Sequence, residues 1–474
     1  MKINYICTEC SNVFESESIK YQCPKCNGIV LCKTEISNVQ EIIEERESIN
    51  SIWDCKSVFP EIDQDYVITL GEGGTPCRVS KRLGKMWGIE KLYLKDETQN
   101  PTNSFKDRAA ALLISHARSL DFDKVVCASN GNQGASIAAY ASLEGIKCVN
   151  IIPEKIDVGK KAQMIAYNSK IHTDGKYYDD ALNEVKHQDY ENYYQTTPEY
   201  NPLTIEGQKT IAYEILNQIG TIDGIIIPMG SGGLLISIWK GYKELKKAGY
   251  ISQIPKLIGV QSTNLSPIVN KFQKMKGKNE SQMKDYDSHA LGILVKNPFY
   301  GDLAVEAIKE SNGTAISIQE NLMLSSAEKL ANNEGIFAEP SSALTVAALN
   351  SLLQQKIIQS NERIVCLITG SGLKTPYMLE ALSTRAKTAG MGGILSTKLE
   401  ILSQINATKN KGIYGSKIKE IMGTISLPAI YQHLKELESK ELISRRKEGK
   451  TVYYTITKKG KKVLNALEIL IALF

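Results

Sequence analysis

The segment "PTNSFKDRAA", Pro101 to Ala110, contains a lysine that could carry out covalent chemistry. Lys106 follows a phenylalanine and precedes an alanine-rich stretch. Partial burial lowers the pKa of a lysine, so that its free amine can attack a carbonyl group and form a Schiff base. The alternative is that Lys106, Asp107 and Arg108 only form the charged first turn of a helix. This segment alone does not separate the two interpretations.

Four cysteines near the N-terminus have the spacing of metal ligands. Cys7-x2-Cys10 is followed, after the 12-residue spacer "SNVFESESIKYQ", by Cys23-x2-Cys26. Two such pairs can complete a tetrahedral thiolate shell around zinc, which leaves no position open for water. We therefore predict a structural zinc ribbon in residues 1–35. The alternatives are incidental cysteine pairs or a redox disulfide, although a redox motif needs only one pair.

Three polar turns could bind anionic or polar groups. They are "SNGNQGAS" (Ser129–Ser136), "GSGGL" (Gly230–Leu234) and "TGSGLK" (Thr369–Lys374). Where such a turn leads into a helix, several backbone N–H groups can converge on an anion. The glycine spacing does not match Gly-x4-Gly-Lys-Ser/Thr, which argues against a nucleotide triphosphatase. For the glycine run taken alone, a plain strand-to-helix turn is the alternative.

Strands and helices alternate from about residue 66 to 385 and must position these turns. The predicted strands are the Val/Ile-rich runs in "KVVCAS", "KCVNIIPE", "GIIIPMGSGG", "PKLIGVQS" and "RIVCLITGSG". Continuous apolar strands followed by helices predict an α/β protein with parallel sheets covered on both faces. Ligands of such sheets bind beyond the carboxyl ends of the strands, where the polar turns lie.

The segment around Lys106 and the three polar turns, together with "FAEPSSALT", resemble those of pyridoxal-phosphate enzymes of the tryptophan-synthase-beta type in their order and spacing. The segments "SIWDCKSVFP", "ITLGEGGTPCRVSKRLG" and "IEGQKT" resemble the threonine synthases most. The resemblance covers roughly residues 1 to 390. It implies the pyridoxal-phosphate fold type II, with two parallel-sheet subdomains, in a catalytic domain over residues 36–390.

The resemblance also implies a role for each candidate residue. Lys106 would hold pyridoxal 5'-phosphate covalently, Asn132 would hydrogen-bond its phenolic oxygen, and Thr369 would meet its pyridine nitrogen. A neutral hydroxyl there does not force the nitrogen to stay protonated, which favours elimination chemistry. The cofactor's phosphate would be bound by Gly230, Ser231, Gly232, Gly233 and Leu234. The substrate carboxylate would be bound by Ser129, Asn130 and Gln133.

For a threonine synthase the implied reaction converts O-phosphohomoserine and water to L-threonine and phosphate. This chain departs from the family in "NPLTIEGQKT", where Leu203 and Thr204 stand in place of a segment that commonly supplies a phosphate-binding arginine. Threonine donates one neutral hydrogen bond but cannot form a charge-assisted fork. Asn103 and Ser371 also stand where glycine and histidine are frequent.

Two other functional classes therefore stay open. One is a related enzyme acting on serine-type substrates: a serine or threonine dehydratase, or a beta-replacement enzyme similar to cysteine or cysteate synthase. The other is a transcription regulator that uses the cofactor to sense an amino acid. Turnover of O-phosphohomoserine would separate these classes from a threonine synthase.

Composition and length set the broader limits. The chain has 474 residues, 42% hydrophobic and 23% charged, which is typical of a globular protein with several domains. No apolar run reaches the roughly 18 residues needed to span a bilayer, and "MKINYICTEC" lacks the apolar stretch of a signal peptide. We therefore expect a cytoplasmic protein with no membrane partner, a compartment in which cysteines can serve as metal ligands.

The C-terminal segment has its own charge and pattern. Residues 401–474 carry 14 Lys or Arg and six Glu, a net charge of +8, so residues 1–400 carry −3 of the total of +5. Helical patterns, an amphipathic helix containing Ile430, Leu434 and Leu437, two strands around Gly449 and a last helix follow one another. This order resembles a winged helix-turn-helix repressor domain over residues 391–474.

The resemblance implies duplex DNA as a partner of residues 401–474, in a homodimer. Groove and backbone contacts would come from Ser426, Tyr431, Gln432, Lys435, Arg445, Arg446 and Lys450. The last helix would pair two subunits through Leu464, Leu467, Leu470 and Ile471. The alternative is a degenerate module kept only for dimer contacts, or a last helix that packs on its own domain.

Overall fold

The computed structural model describes residues 2–45, 47–186, 188–277, 288–379, 397–408, 412–422, 426–449 and 451–472. The chain forms two compact units, Met1–Leu379 and Glu380–Phe474. Within the described ranges, no helix has both the length and the hydropathy needed to cross a membrane.

A six-stranded sheet lies at the centre of the first unit, in the order β12-β11-β10-β13-β5-β4. Its strands are β4 (Cys77–Val79), β5 (Lys91–Asp96), β10 (Gly224–Pro228), β11 (Lys256–Ser262), β12 (Thr314–Ile318) and β13 (Arg363–Ile368). All neighbours are parallel except the edge strand β4. Successive residues of β10 pack into different apolar clusters, because both faces of the sheet are covered.

A second, fully parallel sheet of four strands has the order β8-β7-β6-β9. Its strands are β6 (Lys124–Ala128), β7 (Lys147–Ile152), β8 (Lys170–Thr173) and β9 (Tyr194–Gln195). The two parallel sheets confirm the predicted fold class. The five predicted runs form β6, β7, β10, β11 and β13.

Helices connect these strands. They are α1 (Ile36–Glu45), α2 (Lys81–Trp87), α3 (Lys106–Ser119), α4 (Asn132–Leu143), α5 (Val158–Ala166), α6 (Tyr178–Glu184), α7 (Leu203–Ile219), α8 (Gly233–Lys247), α9 (Pro267–Met275), α10 (Gly301–Glu310), α11 (Glu320–Glu334) and α12 (Pro340–Gln354). Short 3-10 helices cover Ile52–Val58, Gln64–Tyr66, Glu97–Gln99, Gln188–Tyr190, Leu291–Ile293 and Gly372–Lys374.

The N-terminal segment forms a small antiparallel sheet in the order β2-β1-β3. Its strands are β1 (Ile3–Cys7), β2 (Val13–Ser16) and β3 (Val30–Cys32). Tyr5, a residue of β1, is fully buried and stacks on Phe14 with ring centroids 5.4 Å apart. This segment belongs to the same compact unit as the two parallel sheets.

The second unit combines helices with the three-stranded sheet β14-β16-β15. Its named helices are Gly415–Met422, Leu427–Ser439 and Lys458–Ala472, and residues 397–408 are also helical. Its strands are β14 (Ile413–Tyr414), β15 (Ile443–Glu448) and β16 (Thr451–Ile456), and Gly449, with φ 61°, follows β15. The predicted apolar positions Ile430, Leu434 and Leu437 are buried in its core.

The predicted DNA-facing residues are partly described. Ser426, Tyr431, Gln432 and Lys435 are exposed on or beside the helix Leu427–Ser439. In the last helix Leu464 packs into the core of its own unit. The positions Lys450, Leu467, Leu470 and Ile471 lie outside the residues whose side chains the structure describes.

Candidate active site

A cavity lies at the carboxyl ends of the parallel strands and joins the three predicted turns. Residues after β6, β10 and β13 contribute Asn130, the run Gly230–Leu234 and Thr369 to its wall. The first turns of helices α3 and α7 contribute Lys106 and Thr204. Parallel strands bring loops that are distant in sequence to one edge, so these contributions meet at a single place.

Lys106 is the first residue of α3 and lies half-buried in the cavity wall. The Phe105 N–H donates to the Thr369 carbonyl at 3.1 Å, which fixes this end of the helix beside β13. Burial lowers the pKa of Lys106, and nearby Glu199 opposes the shift in part. Among the described residues its amine has no hydrogen-bond or ion-pair partner. A free amine of lowered pKa is what a covalent role requires.

The two charged residues after Lys106 are not on the surface. Arg108 and Asp107 are fully buried. Asp107 accepts hydrogen bonds from the Thr102 N–H at 2.7 Å and from its hydroxyl at 2.6 Å. The segment therefore does begin a helix, as the alternative interpretation required. Its flanking charges anchor that helix inside the protein.

The glycine run Gly230–Leu234 leads from β10 into α8, which begins at Gly233. The backbone N–H groups of this run have no acceptor within the described part of the chain. Gly232 has φ 96°, and a Cβ atom there would lie 3.1 Å from Tyr300. The loop therefore requires glycine, and it presents free N–H groups at the positive end of a helix, where an anion binds.

Asn132 and Thr369 lie deeper in the cavity wall. The Thr369 hydroxyl is 2.8 Å from the Ser342 hydroxyl. The Asn132 side chain donates to the Glu339 carboxylate at 3.1 and 3.2 Å, whereas its carbonyl oxygen has no partner in the described part of the chain. Both residues thus keep polar atoms available for a ligand.

The three residues predicted to bind a substrate carboxylate differ in their positions. Asn130 lines the cavity and donates to the Leu291 carbonyl at 3.1 Å. The Ser129 hydroxyl is buried and accepts from the Gly131 and Gly134 N–H groups at 3.0 and 2.8 Å, so it shapes the loop. Gln133 is also buried, and neither polar atom of its side chain has a partner. Ser129 and Gln133 do not line the cavity.

Sequence reasoning did not assign Glu339, although it noted the segment "FAEPSSALT". Glu339 lines the cavity and pairs with Lys160 at 3.0 Å. Burial alone would raise the pKa of Glu339, but Lys160 and Lys374 hold it below its usual value. Burial lowers the pKa of Lys374 to about 8. This network positions Asn132 through Glu339.

Sequence reasoning also missed Glu199 and Gln208. Both line the cavity beside Thr204. The Thr204 hydroxyl and the Gln208 amide nitrogen are buried and have no hydrogen-bond partner among the residues that the structure describes, so they are free to donate to a ligand. Gln208 lies within the noted segment "IEGQKT", but no local pattern in "TTPEYNP" marks Glu199 as a cavity residue.

The structure accounts for the two unusual residues of this region. Asn103 has φ 61°, a left-handed conformation that favours glycine and that asparagine tolerates. Ser371 caps the 3-10 helix Gly372–Lys374, because its hydroxyl accepts the Leu373 N–H at 3.3 Å. Both residues therefore have local structural roles.

The residues present fit pyridoxal phosphate. A free lysine amine, a cluster of unsatisfied backbone N–H groups and the Thr369 hydroxyl line one cavity. Within the lining, the positive helix end at Gly233 suits a phosphate group. The cavity therefore offers a partner for each polar end of the cofactor.

The four N-terminal cysteines also come together. Their Sγ atoms all lie within 4.8 Å of one another, and Cys7 and Cys26 are 3.5 Å apart. Tetrahedral zinc with bonds of about 2.3 Å places its sulfur ligands at about this separation. The Lys25 and Gly28 N–H groups donate to the sulfurs of Cys23 and Cys26, both at 3.4 Å. Such hydrogen bonds are the outer-shell contacts expected of thiolate ligands.

Comparison with known families identifies both units. Residues 68–370 match the family described as pyridoxal-phosphate dependent enzyme. Residues 398–473 match the HxlR-like helix-turn-helix family. Among solved structures, maize serine racemase has a TM-score of 0.55 at 21% identity, over 67% of this chain and 93% of that one. A serine ammonia-lyase from Rhizomucor miehei has a TM-score of 0.54 at 18% identity, over 63% and 93%. These likenesses show the fold.

Two curated relatives are much more similar in sequence. The threonine synthase of Methanocaldococcus jannaschii is 37% identical over 376 residues, covering 78% of this chain and 92% of the relative. The threonine synthase of Methanosarcina acetivorans is 35% identical over 374 residues, again covering 78% and 92%. The resemblance found in the sequence is thereby confirmed. This chain belongs to the pyridoxal-phosphate-dependent enzymes and, among them, to the threonine synthase family.

Proposed function

We propose that this protein is a threonine synthase that converts O-phosphohomoserine and water to L-threonine and phosphate. The observation that carries the proposal is the amine of Lys106, which forms no hydrogen bond or ion pair with any described residue and lines one cavity with the glycine run and Thr369. Pyridoxal phosphate, when bound, supplies an electron sink that makes protons near the amino group of an amino acid acidic. The relatives named threonine synthase support the same reaction.

The chain's own residues would divide the remaining work. Lys106 would remove protons from the substrate carbons and return them, because burial lowers its pKa and so favours the free amine that acts as a base. The backbone N–H groups of Gly230–Leu234 would bind the cofactor's phosphate, and Asn132 and Thr369 would orient its ring. Asn130 would meet the substrate carboxylate, and Ser129 would hold the loop that carries Asn130.

The proposal is tested by supplying O-phosphohomoserine at mildly acidic and at neutral pH and measuring threonine and phosphate together. We expect one threonine for each phosphate released. Release of a keto acid from serine or threonine, with no threonine formed from O-phosphohomoserine, would identify a dehydratase instead. Cofactor binding without turnover of any of these amino acids would favour the sensing regulator.

We also propose that Cys7, Cys10, Cys23 and Cys26 hold one structural zinc ion. Replacing Cys23 by serine is expected to remove the zinc and to lower the melting temperature, because the ion stabilises a segment with little core of its own. Elemental analysis and thermal unfolding check both expectations. Cys77, which lies outside the cluster, provides the control, since Cys77→Ser should keep one zinc ion per chain. Native protein purified without chelator and free of zinc would contradict the proposal.

We further propose that the second unit binds duplex DNA as part of a homodimer. The exposed residues Ser426, Tyr431, Gln432 and Lys435 and the charge of +8 over residues 401–474 support this. Arg445 and Arg446 are exposed but pair with Glu438 at 2.9 Å and Glu448 at 2.8 Å, so they would exchange these partners for phosphates on binding. Lys435 has no ion-pair partner within the described residues.

Lys435 therefore gives the sharper test. Lys435→Ala is expected to reduce the slope of log affinity against log salt by about one unit, because one phosphate contact is lost. Fluorescence anisotropy on the full-length chain with duplex DNA at several salt concentrations measures the slope. Lys85→Ala, an exposed lysine of the first unit, should leave it unchanged. Absence of binding to any duplex below about 100 μM at low salt would leave the unit as an oligomerisation module.

A further inference from the structure

Glu199 places a carboxylate in the active-site cavity that forms no ion pair with any residue the structure describes. The residue lines the cavity and is 2% exposed. The Tyr178 hydroxyl donates to its Oε2 at 2.5 Å. Its Oε1 has no hydrogen-bond partner, and its carboxylate no ion-pair partner, among the described residues. One oxygen of Glu199 is therefore free to meet a ligand.

The other carboxylate of the cavity wall is neutralised. Glu339 pairs with Lys160 at 3.0 Å and accepts from the Ser341 hydroxyl at 2.7 Å. Lys106 is the only Lys or Arg in the described lining, and its amine is the group that the cofactor takes. Once Lys106 holds the cofactor, Glu199 is the charged side chain of the described lining that no partner neutralises.

Apart from Lys106, the titratable groups described around Glu199 include no cation. They are Lys106 on α3, Cys127 on β6, Tyr178 on α6, Tyr200 before α7 and Tyr300 before α10. Burial raises the pKa of Tyr178, Tyr200 and Tyr300 and that of the Cys127 thiol. These four groups stay neutral near pH 7. An incoming anion therefore meets hydroxyls and a carboxylate.

The segment Pro198–Gln208 is also the wall left for the far end of a substrate. The cofactor takes Lys106, the glycine run and Thr369, and Asn130 lies on the loop proposed for the substrate carboxylate. The polar lining residues of this segment are Glu199, Thr204 and Gln208. Thr204 and Gln208 offer two neutral donors, and Glu199 offers an acceptor. This set suits a group that donates one hydrogen bond and carries little charge.

We propose that Glu199 and Thr204 select a substrate whose leaving group carries at most one negative charge. The inference rests on the proposed threonine synthase activity and specifies the ionic form of its substrate. A singly protonated phosphate ester can donate its P–O–H to Glu199 and accept from Thr204. The doubly charged ester would face Glu199 as a like charge, which is unfavourable inside a cavity. An uncharged ester, such as an acetyl ester of homoserine, avoids the repulsion altogether.

The proposal predicts a pH dependence that can be isolated. Phosphate monoesters lose their second proton near pH 6. Above that pH, kcat/KM for O-phosphohomoserine should fall by about tenfold per pH unit relative to kcat/KM for O-acetylhomoserine. Both esters depend on the same cofactor and the same proton transfers, so the ratio cancels the titration of the groups that serve those steps. Threonine formed from each ester is the quantity measured.

Binding gives a second measurement that does not depend on turnover. An amino acid with a phosphonate in place of the phosphate ester cannot release phosphate, because its phosphorus is bonded to carbon. Calorimetry on the cofactor-loaded protein gives the Kd of this analogue. The Kd should rise with pH in the native protein. In Glu199→Gln both the rise in Kd and the fall in the kcat/KM ratio should flatten. In Thr204→Arg at neutral pH, kcat/KM for the phosphate ester should increase by about tenfold or more.

Glu191→Gln is the matched control, because Glu191 is an exposed carboxylate outside the cavity lining and its replacement should change neither profile. Equal use of both esters at every pH by the native protein would overturn the proposal, as would an unchanged profile in Glu199→Gln. If neither ester gave threonine at any pH, the proposed function itself would be wrong. The cofactor's absorbance in each variant shows whether the site is still assembled.

Discussion

Replacing Lys106 by alanine is expected to abolish covalent binding of the cofactor and to reduce threonine formation by about 10³-fold or more. Alanine has no amine to bond to the cofactor or to move protons at the substrate carbons. No other lysine or arginine lines the described cavity, so no neighbour can take over either role. Absorbance spectra, mass spectrometry after borohydride reduction and a threonine assay measure the three consequences.

The matched control for this variant is Lys81→Ala, which removes an exposed lysine at the start of α2. It should keep the native spectrum and activity. Thermal unfolding of Lys106→Ala should stay close to that of the native protein without cofactor, because among the described residues the Lys106 amine has no hydrogen-bond or ion-pair partner and contacts only the Phe105 ring, at 4.9 Å. An alanine variant that still carried a reducible cofactor adduct on another residue would refute the assignment.

Replacing Arg108 by alanine is expected to lower the free energy of unfolding by about 3 to 5 kcal/mol. Arg108 is fully buried, and its guanidinium bonds to Glu97 at 2.7 and 2.8 Å and to Glu214 at 2.5 and 2.8 Å. Alanine would leave Glu97 without a cation and Glu214 with Lys95 alone. Urea unfolding of the two proteins, at equal cofactor loading, gives the difference.

Lys33→Ala provides the contrast, because Lys33 and Glu35 form an exposed pair at 2.9 Å that should contribute at most about 1 kcal/mol. If Arg108→Ala cost no more than this surface pair, the buried network would not stabilise the fold as argued. Activity should fall together with stability, since Arg108 lies two residues after Lys106 in the same helix.

The same network predicts how stability changes in acid. Burial alone would raise the pKa of Glu214, but Arg108 and Lys95 hold it at about 2, below the ordinary value of 4.5. A carboxyl with a lowered pKa stabilises the folded state fully above its unfolded pKa. That contribution should decrease as the pH falls from about 4.5 to about 2. In Arg108→Ala this part of the acid dependence should be smaller.

Features that depend on local spacing can be predicted from the amino-acid sequence. The Cys-x2-Cys pairs, the glycine run after an Ile-rich strand and the alternation of strands with helices are patterns within short segments. Each reports a local requirement: a turn that presents two sulfurs, a backbone with free N–H groups, or a strand buried on both faces. The role of Lys106 can be predicted from such patterns too, because several short segments follow one another in the order typical of a single enzyme family.

The side chains that complete the site cannot be predicted from local patterns, because they come from segments that meet in the folded chain. Asn132 meets Glu339 across 207 residues, and Arg108 meets Glu214 across 106. No periodicity within a segment records such contacts, because helix packing, as between α3 and α7, and the shared edge of parallel strands bring together residues that are distant in the sequence. The fold also gives two polar residues different roles. The Ser129 hydroxyl bonds to N–H groups of its own loop, whereas Glu199 lines the cavity. A buried carboxylate and a solvated one look alike in sequence, and burial, which the fold alone sets, determines what each can do.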